Sequence, residues 1–400
     1  MMKSNTFTLF AFVIGVILGF LPFPAIFTAA EMVSELFINF LKLISLPVIF
    51  LSIVATITNM SSMHEAKTIL KKIVFYTVFT TLISATLALI IFLLIQPQAT
   101  GYMPAAPIPE VHLPSYLSFL QTLIPSNIIA PFAENNMISV AFIATILSIA
   151  ILKLPKAHKE PLQTFFQSLF QALLKVSSGV VRIIPIGVAC FTILLTYQLR
   201  AGDVNIAPLL WYAAAVIGAN LIQGLIALPL ILKSKGIAPF KLGKAMLPAI
   251  ATAFFSKSSN VALPISLSSA KNNAKISERI SSFSFPLCSV INMNGCAAFI
   301  LITVLFVLNS SGYALTLSQM LPWIFIASIA AIGNAGVPMG CYFLASAFLT
   351  GLNVRLEILG LILPLYTIFD MVETALNVWS DTCVTAIVDK ELKELQPLPS

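Results

Sequence analysis

Residues Asp370 to Asp381 read DMVETALNVWSD, inside an apolar stretch that runs from about 358 to 388. At roughly 100° per residue on a helix, Asn377 and Asp381 each fall about 20° from Asp370, Thr374 about 40° and Glu373 about 60°. Three carboxylates, an amide and a hydroxyl therefore share one face, and Met371, Val372, Ala375 and Trp379 lie mostly elsewhere. A charge at the centre of a bilayer costs roughly 2.5–3.5 kcal/mol on insertion scales. Such a stripe belongs against protein or water and not against lipid, so it reads as the wall of a binding site for a solute and its driving cation.

The rest of the chain supports a membrane setting. Of 400 residues, 58% are hydrophobic and 9% charged, where a soluble protein carries about 25% charged residues. The expected class is an all-α polytopic membrane protein embedded in a lipid bilayer. Phe7 to Phe20 reads as the start of a membrane helix and not as a removed signal, since no small-residue cleavage site follows. The net charge of +7 fits basic cytoplasmic loops better than a nucleic-acid partner, and none is expected. Five cysteines (Cys190, Cys288, Cys296, Cys341, Cys383) are scattered through apolar segments without a CxxC pair. They suggest neither a disulfide framework nor a zinc site and read as small buried packing residues.

Lysines and arginines give the orientation. They cluster at 67–72, 153–159, 233–244, 271–279 and 390–393, whereas 98–115 and 309–319 hold none. The positive-inside rule places both termini in the cytoplasm. Basic loops flank both sides of the 245–268 segment, so a single crossing would put one of them outside. A re-entrant hairpin resolves this, with Ser256-Lys257-Ser258-Ser259-Asn260 as its polar tip. Each arm of about 11 residues is roughly 16 Å long, too short for a ~30 Å core. The 320–350 segment is broken in its middle by Gly333-Asn334-Ala335-Gly336-Val337-Pro338 and has lysine-poor flanks, which fits a second hairpin entering from outside. Each hairpin precedes one long apolar segment, 280–308 or 357–388. Inverted repeats with broken helices mark secondary transporters, whose site lies at mid-membrane.

Four constellations carry the chemistry, and each has a plainer reading. The first tip offers hydroxyls and backbone amides that suit a carboxylate; otherwise it is a loop between two short helices. Asn292-Met293-Asn294-Gly295-Cys296 can unwind a helix and expose carbonyls to a Na⁺-like cation; otherwise the amides bond between helices. The Gly333–Pro338 tip offers free carbonyls, or is a simple kink. The acidic face is a site wall, or a set of structural carboxylates paired with Lys42, Lys175, Arg182 or Lys257. An enzyme is not expected. An aspartic dyad needs carboxylates that share a proton, whereas Asp370 and Asp381 sit about 16 Å apart along one helix. His64, His112 and His158 all fall in expected loops, away from the acidic face.

In this order and spacing, SKSSNVALP, NMNGCA, IGNAGVPMG and DMVETALNVWSD resemble the motifs of the dicarboxylate/amino acid:cation symporter family, the glutamate transporters. The likeness covers most of the chain and is strongest from about 245 to 390. It implies eight transmembrane helices plus two re-entrant hairpins in one membrane domain over 1–400. The first two helices would fall in 1–72, the third and fourth in 73–160 with an outer loop at 98–115, and the fifth and sixth in 161–235. A transport core over 236–390 would hold hairpin 1 (about 245–268), helix 7 (about 280–308), hairpin 2 (about 320–350) and helix 8 (about 357–388). A homotrimer and an elevator motion in the inner or plasma membrane are also implied.

By position, the resemblance assigns the substrate amino group to Asp370 and its carboxylate to Asn377 and the backbone of Ser258 and Ser259. Asn260, Gly336, Val337, Glu373 and Thr374 would line the same substrate site. Na⁺ would be held by Asn292, Asn294, Asn377 and Asp381 with backbone at Cys288. Carbonyls near Ala331, Ile332 and Asn334 would form a second Na⁺ site. Three positions depart from the family pattern. Glu373 stands where members that carry acidic substrates have arginine, and it would repel a substrate carboxylate. Its D-x-x-E-T-A-L-N spelling resembles the sodium/serine-threonine branch. Asn294 replaces an aspartate, which removes a charge from one cation site and implies fewer Na⁺ or a proton carried by Glu373. Lys257 adds a charge at the first tip that balances Glu373 or Asp370. The expected function is cation-coupled import of a small neutral amino acid such as serine or threonine, driven by Na⁺ with H⁺ as the other candidate. An acidic amino acid or C4-dicarboxylate, a cationic amino acid, or an anion channel are the alternatives.

Overall fold

The protein is described by a computed structural model covering residues 2–59, 67–97, 124–133, 137–201, 206–332, 334, 339–354 and 356–395. These residues are helical with no strand among them. The expected outer loop 98–115 lies outside the described residues.

Helix α1 spans Met2–Gly19 and α2 Pro24–Asn59; Pro22 and Pro24 end the first and start the second. Next come α3 (Lys67–Ile95), α4 (Met137–Lys153) and α5 (Lys156–Ala201), the last carrying Pro161 and Pro185 within it. Helices α6 (Ala207–Ile222) and α7 (Leu228–Ser234) are joined without a loop by a π-helical turn, Gln223–Ala227. Two antiparallel arms, α8 (Pro239–Ser256) and α9 (Ser259–Asn272), follow. Then come α10 (Glu278–Ile291), α11 (Asn294–Ser310), α12 (Pro322–Ile332), α13 (Gly340–Gly351) and α14 (Glu357–Leu395). Single turns at Ala130–Ala133 and Leu317–Met320 are left unnumbered.

Four helices among the described residues are long and apolar enough to cross a membrane. They are Ile69–Ile95, Ala207–Ser234, Glu278–Ser310 and Glu357–Lys393. Glu278–Ser310 differs from the others, because 94% of its most apolar window is buried inside the protein. A helix that is apolar all round sits in the interior, and α11 does so, packed by α3, α6, α12, α13 and α14. Helices α1, α2, α4 and α5 pack on one another at one side, and α2 and α5 reach across to α13 and α14.

The first hairpin turns on two residues only. Lys257 takes a left-handed conformation (φ 54°) and Ser258 an extended one. Ser256 and Ser259, expected in the tip, are helical. Helices α12 and α13 cover the two arms expected for a second hairpin. Of its tip, Asn334 is described; Gly336 and Val337 lie outside the described residues.

Candidate functional site

Helices α10 and α11 are one helix interrupted at Asn292 and Met293, which take non-helical angles (φ −99°, ψ 73° and φ −107°, ψ 63°). Two buried amides at the break leave backbone and side-chain groups to be satisfied. Neighbouring helices supply the partners. Asn292 Nδ2 donates to Ser380 Oγ and to Asp381 Oδ1, both at 3.0 Å. Asn294 Nδ2 donates to Asn292 Oδ1 (2.9 Å) and Ser380 Oγ (2.8 Å). Asn294 Oδ1 accepts from Gln223 Nε2 (2.7 Å), and the Asn294 carbonyl accepts from Ser84 Oγ (2.8 Å). Thr80 Oγ1 donates to Asn292 Oδ1 at 3.2 Å. The Cys288 carbonyl takes the Asn292 N–H at 2.8 Å, closing the end of α10. Asn294 thus donates where an aspartate could only accept, which is a physical reason for an amide here.

The interruption lets α11 and α14 approach closely. A Cβ on Gly295 would stand 2.7 Å from Glu373 Cα and 2.9 Å from the Glu373 carbonyl. Asn377 Oδ1 accepts the Gly295 N–H at 2.8 Å, so the amide expected to bind substrate also holds the break in place. Around this network the oxygens Asn220 Oδ1 and Gln223 Oε1 are buried without a hydrogen-bond partner among the described residues. Carboxylate, amide and hydroxyl oxygens at one buried place are the donor set of a hard cation.

Above the network lies a small pocket of ≈ 30 Å³, room for about two water molecules. Its walls include Lys257, Ser258 and Ser259 from the first hairpin, Asn334 and Cys341 from the second, Met293 and Cys296 from α11, and Tyr366, Asp370, Glu373, Thr374 and Asn377 from α14. The stretch 370–381 is thus divided. Asp370, Glu373, Thr374 and Asn377 face the pocket, and Ser380 and Asp381 face the amide network. Glu373 is 1% exposed, and neither of its carboxylate oxygens has a hydrogen-bond partner among the described residues. Lys257 and Asp370 both line this pocket. Lys175 is exposed on α5, and the side chains of Lys42, Arg182 and Asn260 lie outside the described residues. Ser258 caps α9, its Oγ accepting the Val261 N–H at 3.3 Å. Ala331 and Ile332 form the end of α12, and the Asn334 amide reaches Cys296 of α11 and Cys341 of α13, its Oδ1 without a partner among the described residues.

The cysteine reading needs correction. Cys190, Cys288 and Cys383 are free and buried, as packing residues should be. Cys296 and Cys341, however, form a disulfide between α11 and α13, with Cα atoms 5.4 Å apart. Spacing along the chain does not reveal a pair 45 residues apart that only the fold brings together. The sequence reading also missed Thr80, Ser84, Gln223 and Ser380. A signal exists for the first two: Thr77, Thr80, Thr81 and Ser84 recur at helical spacing in an apolar run. Gln223 stands out as a lone amide in the apolar Leu221–Ala227 stretch, and its π turn has the Gly224 carbonyl accepting from Trp379 Nε1 at 2.9 Å. Helical π turns collect at functional sites.

A third cluster lies at the far end of α14. Glu391 bonds Lys72, Tyr76 and Lys235, tying α14 to α3 and to the turn after α7. The hydrogen bond to Glu391 holds the Lys235 ammonium above the usual lysine range. Asp389 accepts from Ser277 Oγ at 2.6 Å.

A family model described as "Sodium:dicarboxylate symporter family" matches residues 5–391. The proton/glutamate-aspartate symporter of Escherichia coli (strain K12) is 24% identical over 402 residues, covering 96% of this chain and 91% of that protein. The C4-dicarboxylate transport protein of Stenotrophomonas maltophilia (strain R551-3) is 25% identical over 364 residues, or 89% of this chain and 80% of the relative. Neutral amino acid transporter A of Homo sapiens is 25% identical over 401 residues, or 89% and 74%.

Proposed function

Since the chain belongs to the sodium:dicarboxylate symporter family, we propose that it imports a small neutral amino acid with a hydroxyl, of the serine or threonine kind, coupled to Na⁺. The observation that carries the substrate reading is Glu373, buried in the pocket wall with both carboxylate oxygens unpartnered among the described residues. A buried carboxylate needs a donor, a counter-charge or a proton. A substrate hydroxyl supplies a donor, and a second substrate carboxylate would add repulsion.

In this reading Asp370 takes the substrate ammonium, and Asn377 with the Ser258 and Ser259 backbone takes its carboxylate. Gly336 and Val337 close over it from the second hairpin. Asn292, Asn294 and Asp381 with the Cys288 carbonyl hold one Na⁺ as cotransported cargo, and carbonyls near Ala331, Ile332 and Asn334 hold another. An uncharged Asn294 lowers the number of Na⁺ carried, with Glu373 as the carrier of a proton. The chain crosses the cell membrane eight times with two re-entrant hairpins and both termini in the cytoplasm. It works as a homotrimer by elevator motion.

A second reading is an acidic amino acid or C4-dicarboxylate. It is favoured by Lys257, a cation in the pocket wall, and by what the names of the bacterial relatives say they carry. The deciding experiment is a panel of amino acids and C4-dicarboxylates in a thermal-shift assay, with and without Na⁺. A ligand that binds the folded state raises its stability. A Na⁺-dependent rise with serine or threonine is expected. A rise with aspartate or succinate and none with serine overturns the neutral reading, and a rise that ignores Na⁺ but follows pH replaces Na⁺ by H⁺.

A further inference from the structure

Cys296, Cys341 and Glu373 come from three elements, α11, α13 and α14, and meet on one wall of the pocket. The two sulfurs and a carboxylate oxygen all lie within 4.8 Å of one another. The three residues are 1–2% exposed, and Glu373 brings an unpartnered carboxylate to the group. Asn334 Nδ2 donates to both sulfurs, at 3.1 Å to Cys296 and 3.4 Å to Cys341. This donor set differs in kind from the one at the helix break, where oxygen dominates. Sulfur selects soft cations, and oxygen selects hard ones.

We propose that, when the disulfide is reduced, Cys296, Cys341 and Glu373 form a binding site for a soft divalent cation of the zinc and cadmium class, and that this cation excludes the transported solute. Reduction takes two electrons and two protons from a small dithiol, which leaves as its own disulfide while two thiols remain facing Glu373. The cation displaces the two thiol protons and bonds two thiolates and one carboxylate oxygen. Bonds of about 2.3 Å to sulfur and about 2.0–2.2 Å to oxygen are reached by small side-chain shifts. A fourth ligand position falls to water, for which the pocket has room. The assembled site carries one net negative charge, and Lys257 across the pocket opposes it. Metal binding stands on this geometry alone; the block of transport rests also on the pocket being the solute site.

The test uses the full chain in detergent, purified under a dithiol and verified to hold five free thiols. Equilibrium dialysis against Cd²⁺ counts bound metal, and ultraviolet thiolate-to-cadmium absorption reports sulfur ligation. One Cd²⁺ per chain is expected, with the absorption band, and the oxidised chain should bind at least about tenfold more weakly. Removing a ligand should cost no less than the ~10–100-fold that losing an outer-shell partner costs. Cys341→Ser should therefore lose both tight binding and the band, and Glu373→Gln should lose affinity but keep the band. Cys190→Ser, remote in α5, should bind as the parent does. Equal binding by the reduced and oxidised chains overturns the proposal without any variant. So does the absence of bound Cd²⁺ on the five-thiol chain, or unchanged binding by Cys341→Ser. Dialysis needs no substrate, so its failure leaves the transport reading standing, and a failed amino-acid panel leaves the metal site standing.

Discussion

Glu373 and Asp381 stand on the same helix, two turns apart, and both are nearly inaccessible, at 1% and 2% exposure. They live in opposite circumstances. Asp381 accepts from Asn292 inside a network that also engages Ser380, Asn294, Thr80 and Gln223. The Glu373 carboxylate has no hydrogen-bond partner among the described residues. A connected network can hold its geometry before a ligand arrives, and the unpartnered Gln223 Oε1 leaves one acceptor open within it. An unpartnered carboxylate is a standing demand for one. The difference assigns pre-built geometry to the lower half of the stripe and ligand-dependent chemistry to the upper half.

The largest effect should come from breaking the ordered half. Asp381→Ala leaves the Asn292 amide without one of its acceptors, and an unsatisfied buried group costs ~1–3 kcal/mol. Its melting temperature should fall, and Na⁺ should no longer raise it. A variant that still responds to Na⁺ would remove Asp381 from the cation site. Gly295→Ala probes the close approach on which both halves depend. Besides Asn220 Oδ1, the obstructing atoms are backbone of α14 and cannot swing away, so a loss of ~1–3 kcal/mol is expected in denaturant or thermal unfolding. Glu373→Gln should cost less stability than Asp381→Ala, because no hydrogen bond is lost. The same variant should abolish the thermal shift given by serine. If it melts as low as Asp381→Ala, the contrast between the two acids fails.

Smaller changes sharpen the picture. Trp379→Phe removes one hydrogen bond to the Gly224 carbonyl, worth ~0.5–1.5 kcal/mol, and should loosen the π turn that aims Gln223. Hydrogen exchange over 219–228 would register it. Smallest is Glu391→Gln, whose partly exposed pairs with Lys72 and Lys235 contribute at most ~1 kcal/mol and fade with salt. Lys235 is held above its ordinary value in the folded chain, so its contribution is present at neutral pH and is lost as the pH climbs into the strongly alkaline range. A melt series from pH 7 upward should show the parent losing its advantage over Glu391→Gln there.

Much of this was legible in one dimension. The Asp370–Asp381 stripe lies where helical spacing puts it, and the NMNG run marks the interruption of a buried helix. The first hairpin turns where the polar tip predicted, though more tightly, because Ser256 and Ser259 have helical neighbours and only Lys257 and Ser258 need irregular angles. What stayed hidden depends on apposition. Asn294 is tied to Gln223 and Ser84, far from it in sequence, and Cys296 to Cys341. The hydroxyl stripe on α3 was visible, but threonines and serines in membrane helices often bond their own preceding turn, as Thr81 does to the Thr77 carbonyl at 2.8 Å. Only the partner on another helix separates the two roles.

The π turn at Gln223–Ala227 has one more consequence. Such a turn accommodates one residue more than the same length of α-helix, so everything after it is rotated by roughly 100° about the helix axis. Deleting a single residue from 223–227 would restore an ordinary helix and retract the Gln223 amide from Asn294. It would also turn Leu228 and Leu232, both fully buried, out of their packing. The register of one helix therefore fixes the polar centre and an apolar seam together, and neither can drift without the other.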